Sequence, residues 1–284
     1  MTPVTRVDPF SLSDEEVYAQ LCRPGVKRVL AEGDSWLSIF LPRDGNLLSA
    51  LRSRHDVVLL DLSYPGDTLA EMARGRQFEL FERLVTDERE GWAFDAILLN
   101  GGGNDLISGG LQRVLKNPAR SQRMALARNW IDREALDRLL EEIRACFRRF
   151  IAARSASPFN AECPILTCTY DFITPRNCGA QLLGVTLGGP WICPSLNALG
   201  ITEPALQRAI TDALLIAYKT RLLEPLAADA ANNFHLADTQ GTLVPANPDD
   251  FESRGDWADE IHPSARGWTK LAGRIGAALD TLLD

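Results

Sequence analysis

The sequence predicts an α/β fold in which a parallel sheet is covered on both faces by helices, and two features of its pattern predict this. Short β-branched and aliphatic runs end at Gly, Asp, Ser or Asn, as buried strands do where they stop at a turn. Between those runs lie stretches with apolar residues at helical spacing. Strands alternating with helices imply right-handed crossovers and a parallel sheet.

The elements follow in order. Val26 to Leu30 is the first strand, with Lys27 and Arg28 inside it. Residues 43–55 read as a helix with Leu47, Leu48 and Leu51 on one face, and Val57 to Leu62 as the second strand. Thr68 to Val85 is helical in pattern, with Leu69, Met72, Leu80, Phe81 and Leu84 inward and Asp67 or Thr68 as N-cap. Ala96 to Leu99 is the third strand. Asp132 to Ala153 is a long amphipathic helix, because Leu136, Leu139, Leu140, Ile143, Phe147 and Phe150 recur at spacings of three and four. Pro164 to Tyr170 reads as the fourth strand. A helix from Glu203 to Leu223 has Pro204 in its first turn, and Pro225 is expected to end or kink it. Asn233 to Asp238 is the fifth strand, and Ser264 to Leu283 closes the chain as a helix.

Two segments break the alternation. Residues 106–131 contain Gly109, Gly110, Asn117 and Pro118; residues 171–202 contain Pro175, Gly179, Gly184, Gly188, Gly189, Pro190 and Pro194. Connections this long are lids or binding loops, or else ordinary surface decoration. Without a repeat, low-complexity tract or linker, a single domain over 1–284 is the simplest count.

At 284 residues the chain is long enough to bury roughly three quarters of its unfolded surface. A net charge of −8 argues against a nucleic-acid footprint. Met1 to Phe10 has no apolar core of the ~7–15 residues of a signal peptide, and no apolar stretch approaches the ~20 residues of a membrane span. The expectation is a cytoplasmic protein with reduced thiols. The six cysteines form no C-x-x-C pair and fit no zinc spacing. Cys178 and Cys193 flank one Gly-rich loop, where an oxidising compartment could bridge them.

Four polar stretches carry the chemistry: Gly33-Asp34-Ser35-Trp36, Gly66-Asp67, Gly102-Gly103-Asn104-Asp105 and Asp259-Glu260-Ile261-His262. The first three each follow a strand, and ligands bind outside the carboxyl ends of strands in open α/β sheets, so they should converge. Pro263 disfavours helical geometry at His262, which places that histidine in an extended segment or turn. Asp259 can then fold back onto one imidazole nitrogen and leave the other free as a base. Ser35 is the candidate nucleophile, since a serine hydroxyl needs such a base. It does not sit in a G-x-S-x-G elbow, which disfavours the α/β-hydrolase fold. Asn104, Gly66 and the Ser35 N–H are candidate donors for a developing oxyanion. Each motif alone has a plainer reading: Gly-Asp-Ser after a strand is more often a capped turn than a nucleophile, and Asp-x-x-His a surface histidine beside a chance acid. His235, inside a strand, reads as structural, and His55 as a loop residue. The triple glycine at 101–103 lacks both the G-x-G-x-x-G pattern and the Walker lysine, so nucleotide binding is poorly supported.

Taken together, the four stretches resemble the signature blocks of the SGNH (GDSL-type) hydrolases, spread over nearly the whole chain. That resemblance implies a three-layer α/β/α sandwich, flavodoxin-like, with five parallel strands. It implies Ser35 as nucleophile, His262 as base and Asp259 as its orienting acid, with Ser35, Gly66 and Asn104 forming the oxyanion hole. Asp34 would shape the turn. Trp36 stands where the family usually has leucine, and the extra glycine before the third block and segment 171–202 lie outside the shared signature.

The activity implied is that of a serine esterase acting through an acyl-enzyme on Ser35, as a carboxylesterase, lipase-like enzyme or carbohydrate deacetylase. Its substrate would be a small-molecule or glycan ester, with no metal or organic cofactor and no nucleic-acid partner. An acyltransferase using the same residues, and a non-catalytic module binding acylated glycans, are the alternatives. The oligomeric state is left open.

Overall fold

The computed structural model describes residues 1–39, 45–89, 91–116, 126–182 and 185–284. Its centre is a six-stranded sheet. The strands are β1 (Thr5–Val7), β2 (Lys27–Gly33), β3 (Val57–Asp61), β4 (Ala96–Asn100), β5 (Ile165–Cys168) and β6 (Phe234–Ala237). They lie in the order β6-β5-β4-β2-β3-β1, and every pairing is parallel. Without β1 this is the flavodoxin-like order, whose switch point falls at the ends of β2 and its neighbours. Strands β3 and β4 are buried along their whole length, which explains their unbroken apolar runs.

The five expected strands are all present, and β1 is an addition. It is short, and only Val7 is buried, so no apolar run marks it. Its Thr5 pairs with Val58, and the Arg6 guanidinium donates to Asp61 at the far end of β3.

Helices cover the sheet. Helix Gly75–Thr86 packs on helix Arg133–Ser155 through Phe78 and Phe81, whose rings meet Phe150 at 5.3 and 4.8 Å. Asp132 caps the second of these by accepting from the Ala135 N–H. Helix Ala265–Leu283 packs against Leu47–Ala50 and the sheet, capped by Ser264.

Three helical expectations need correction. Of the helix expected over 43–55, residues 43 and 44 lie outside the described residues, and only Leu47–Ala50 is helical. The chain then extends, Arg52–Ser53 pairing with Thr2–Pro3, because the Asp280 carboxylate accepts from Ser53 Oγ and the Arg54 N–H. The helix expected over 68–85 is two, Leu69–Met72 and Gly75–Thr86, divided where Gly75 takes φ +58°. Of the two outcomes expected at Pro225, an end or a kink, the end does not occur. Pro204–Tyr218 runs through a π-turn, Lys219–Leu223, into Glu224–Ala228. The wider turn accommodates the proline ring, and the Arg221 carbonyl accepts instead from the Arg144 guanidinium.

Neither long segment is structureless. Residues 106–131 hold the helical turns Leu111–Val114 and Ala127–Trp130 and a bridge between Leu115 and Ile131; Asn117 and Pro118 lie outside the described residues. Residues 171–202 hold an antiparallel pair, Ala180–Leu182 with Val185–Gly188, and helix Cys193–Ala198; Gly184 lies outside the described residues.

Candidate active site

The loops after β2, β3 and β4 and the segment before the last helix gather at the carboxyl edge of the sheet. The first block is a tight exit from β2. Gly33 lies so close to β4 that a Cβ there would sit 2.7 Å from the Asn100 carbonyl oxygen, so only glycine fits. Asp34 caps the turn Ser35–Ser38, its Oδ1 accepting from the Trp36 N–H at 2.9 Å. Its Oδ2 accepts from the Tyr170 hydroxyl at 2.5 Å. Burial pushes the Asp34 carboxyl up to about 6, against the pull of those two donors.

The last block is folded around Asp259. Its Oδ1 accepts from the Ile261 and His262 N–H groups at 2.9 and 2.7 Å, and its Oδ2 lies 2.8 Å from His262 Nδ1. The other imidazole nitrogen, Nε2, lies 2.9 Å from Ser35 Oγ. Ser35, Asp259 and His262 are 6%, 1% and 3% exposed. A carboxylate on Nδ1 favours the tautomer with its proton there, leaving Nε2 free to accept the serine proton. His262 sits in a bend before the helix, as Pro263 requires. Trp36 joins the two blocks: its indole N–H donates to the Ile261 carbonyl at 3.1 Å, and its ring packs edge-on to Tyr170 and Trp268.

The middle blocks touch each other. Asn104 Nδ2 donates to the Asp67 carbonyl at 2.9 Å, and the Asp105 carboxylate accepts from the Leu69 and Ala70 N–H groups. An amide nitrogen carries two hydrogens; the Asp67 bond uses one and sets the direction of the other. Ser35, Trp36, Asn104, Ile107, Tyr170 and Ile173 are among the residues lining one cleft, whose free volume is about 20 Å³. That is room for about one water. Gly66 is exposed in the turn after β3 at φ +92° and does not line this cleft.

His235 takes no part: it hydrogen-bonds Asn233 at the start of the edge strand β6. Cys178 and Cys193 are both free thiols. Among the described residues no group of three or more His, Cys, Asp or Glu could hold a metal ion, and no helix is long and apolar enough to cross a membrane.

Several neighbours of these residues were not singled out by sequence. Tyr170 ends the segment after β5, a strand end where ligand sites form, so its position was the available signal. Tyr218 donates to the Gly101 carbonyl at 2.5 Å and fixes the glycine run before Asn104. Glu260 receives backbone N–H groups from residues 176 and 191–193, and nothing in the local sequence marks those partners.

No family model matches the sequence, and no curated protein matches it. Solved structures give distant likenesses. An extracellular lipase from Streptomyces rimosus is 14% identical with a TM-score of 0.44, over 90% of this chain and 99% of that one. A possible lipase from Chitinophaga pinensis is 13% identical with a TM-score of 0.42, over 90% and 99%. An acetyl xylan esterase from Butyrivibrio proteoclasticus is 15% identical with a TM-score of 0.41, over 90% and 63%. The fold stands on the chain's own strand order: it is the flavodoxin-like α/β/α sandwich that the resemblance to SGNH hydrolases implies, with one further edge strand.

Proposed function

We propose that this chain is a serine ester hydrolase of the SGNH type. The observation that carries the reading is the line Asp259 Oδ2, His262 Nδ1, His262 Nε2, Ser35 Oγ, with contacts of 2.8 and 2.9 Å between residues 227 apart in sequence at the last step. Simple binding of an acylated ligand does not call for a hydroxyl, a base and an orienting acid in register.

Ser35 Oγ attacks the ester carbonyl as His262 Nε2 takes its proton, and Asp259 steadies the imidazolium that forms. The tetrahedral oxyanion accepts from the Ser35 N–H and the second hydrogen of the Asn104 amide. His262 then protonates the leaving alcohol, and water releases the acyl group by the same steps in reverse. Asp34 keeps the turn in shape and takes no proton from Ser35, since both its oxygens already receive donors. A small-molecule or glycan ester is the substrate class.

The test is a fluorophosphonate probe together with a short-chain aryl acetate. Labelling should fall on Ser35, and Ser35→Ala should lower turnover by about 10⁶-fold. Ser35→Ala hydrolysing at the wild-type rate would end this reading. Products formed with and without added alcohol separate hydrolysis from acyl transfer.

A further inference from the structure

Glu260 lies between Asp259 and His262 in sequence, yet its side chain points away from them, toward Arg176 and residues 191–193. The carboxylate is 1% exposed and is surrounded by backbone donors. Its Oε1 accepts from the Arg176 N–H at 3.1 Å and the Cys193 N–H at 2.7 Å; its Oε2 accepts from the Trp191 N–H at 2.5 Å and the Ile192 N–H at 2.8 Å. Its own N–H donates to the Cys178 carbonyl at 2.9 Å. The Arg176 guanidinium returns the tie, donating to the carbonyls of Asp259, Asp250 and Glu252. Two segments about 70 residues apart are thus locked together one residue from Asp259. A carboxylate bonded to this many donors is strongly held and cannot be exchanged for a neutral group without leaving donors unpaired.

The lock has a consequence at the imidazole. Trp191, whose N–H Glu260 holds, sets its half-buried indole edge-on to His262, with ring centroids 5.3 Å apart at 83°. The indole also lies against Gly189, where a Cβ would meet ring carbons at 2.5 Å. Asp259 holds His262 Nδ1, and the bond from Nε2 to Ser35 Oγ is the one that reaction must break, so it cannot by itself fix the ring. The Trp191 indole is the aromatic ring in contact with that imidazole.

We infer that Glu260 is a positioning residue for the reaction: through Trp191 it holds the His262 ring so that Nε2 faces Ser35 Oγ. This rests on the reading of Ser35 and His262 as the reacting pair. Arg176 and residues 191–193 are then a fixed wall of the site beside the base. A displacement of the order of 1 Å in such an arrangement costs about 100-fold in rate.

The experiment compares the full-length protein with Glu260→Gln, Trp191→Ala and Trp191→Phe. It uses aryl acetate kinetics, the fluorophosphonate labelling rate, and the downfield proton resonance of His262 Nδ1–H in ¹⁵N-histidine-labelled protein. Glu260→Gln sets an amide NH₂ against two backbone donors. It and Trp191→Ala should lower kcat by about 10- to 100-fold with KM held, slow labelling in step, and broaden the Nδ1 proton signal. Trp191→Phe, which keeps an aromatic edge, should recover most of both. If Glu260→Gln does not fold, Trp191→Ala decides alone, since its ring is half-exposed. Wild-type kcat and an unchanged Nδ1 signal in Trp191→Ala would overturn the inference. So would a folded Glu260→Gln that loses thermal stability but keeps both. The resonance needs no substrate, so it reads the positioning even if aryl acetates prove to be the wrong esters; loss of the ester-hydrolase reading is instead marked by Ser35→Ala retaining activity.

Discussion

Two buried aspartates stand next to Ser35 and His262, and they differ in which hydrogens they receive. Asp34 precedes Ser35, and Asp259 stands three residues before His262. Both are almost wholly buried and both accept from backbone N–H groups of their own turn. The remaining oxygen separates them. In Asp34 it takes the hydroxyl of Tyr170, a neutral donor, and burial pushes the carboxyl up to about 6. In Asp259 it takes the imidazole Nδ1 of His262. Adjacency in sequence therefore says little about role. The third partner is what distinguishes the two carboxylates: a hydroxyl for Asp34, an imidazole for Asp259.

Asp259→Asn would strain this comparison most. Replacing the acceptor on Nδ1 by an amide favours the wrong imidazole tautomer and should lower kcat by about 10⁴-fold, measured by steady-state hydrolysis. Asp34→Asn should leave kcat within a few-fold; equal losses in the two variants would erase the distinction drawn between them. Asn104→Ala sharpens the contrast from the donor side: removing one donor of the proposed oxyanion hole should cost about 3–4 kcal/mol of transition-state stabilisation, seen in kcat.

Asp34 should declare itself in stability. Its folded value of about 6 lies above the ordinary 3.8, so the native state binds the extra proton. The stability it contributes is complete below about 3.8 and is lost as pH rises through about 6, a change of about 2–3 kcal/mol. A neutral amide in place of this carboxyl imitates the protonated form. Urea titrations between pH 4 and 7.5 should therefore show a smaller fall in the Asp34→Asn variant than in the wild type. Parallel curves would refute the assignment. Trp36→Phe is the mildest change. It leaves the Ile261 carbonyl without its indole donor, and should cost about 1–3 kcal/mol in urea unfolding.

Much of the fold was legible because parallel strands buried on both faces are unbroken apolar runs, as in Val57–Asp61 and Ala96–Asn100. β1 leaves no such mark in the sequence, because an edge strand of three residues needs no apolar run. The break at Gly75 and the passage through Pro225 leave no mark for another reason. Helical periodicity survives both, while a positive φ and a π-turn change only the backbone path.

For the site, the residue types and their spacing in four blocks were determined by sequence alone, and so was the turn geometry that Pro263 imposes on His262. Only the folded chain decided that Tyr170 reaches Asp34 across 136 residues, that Trp36 reaches Ile261 across 225, and that Glu260 gathers its four donors. The reason is physical. Burial pattern and turn chemistry act over a few residues and leave a local record, whereas a buried carboxylate takes whichever donors the closed chain brings to it.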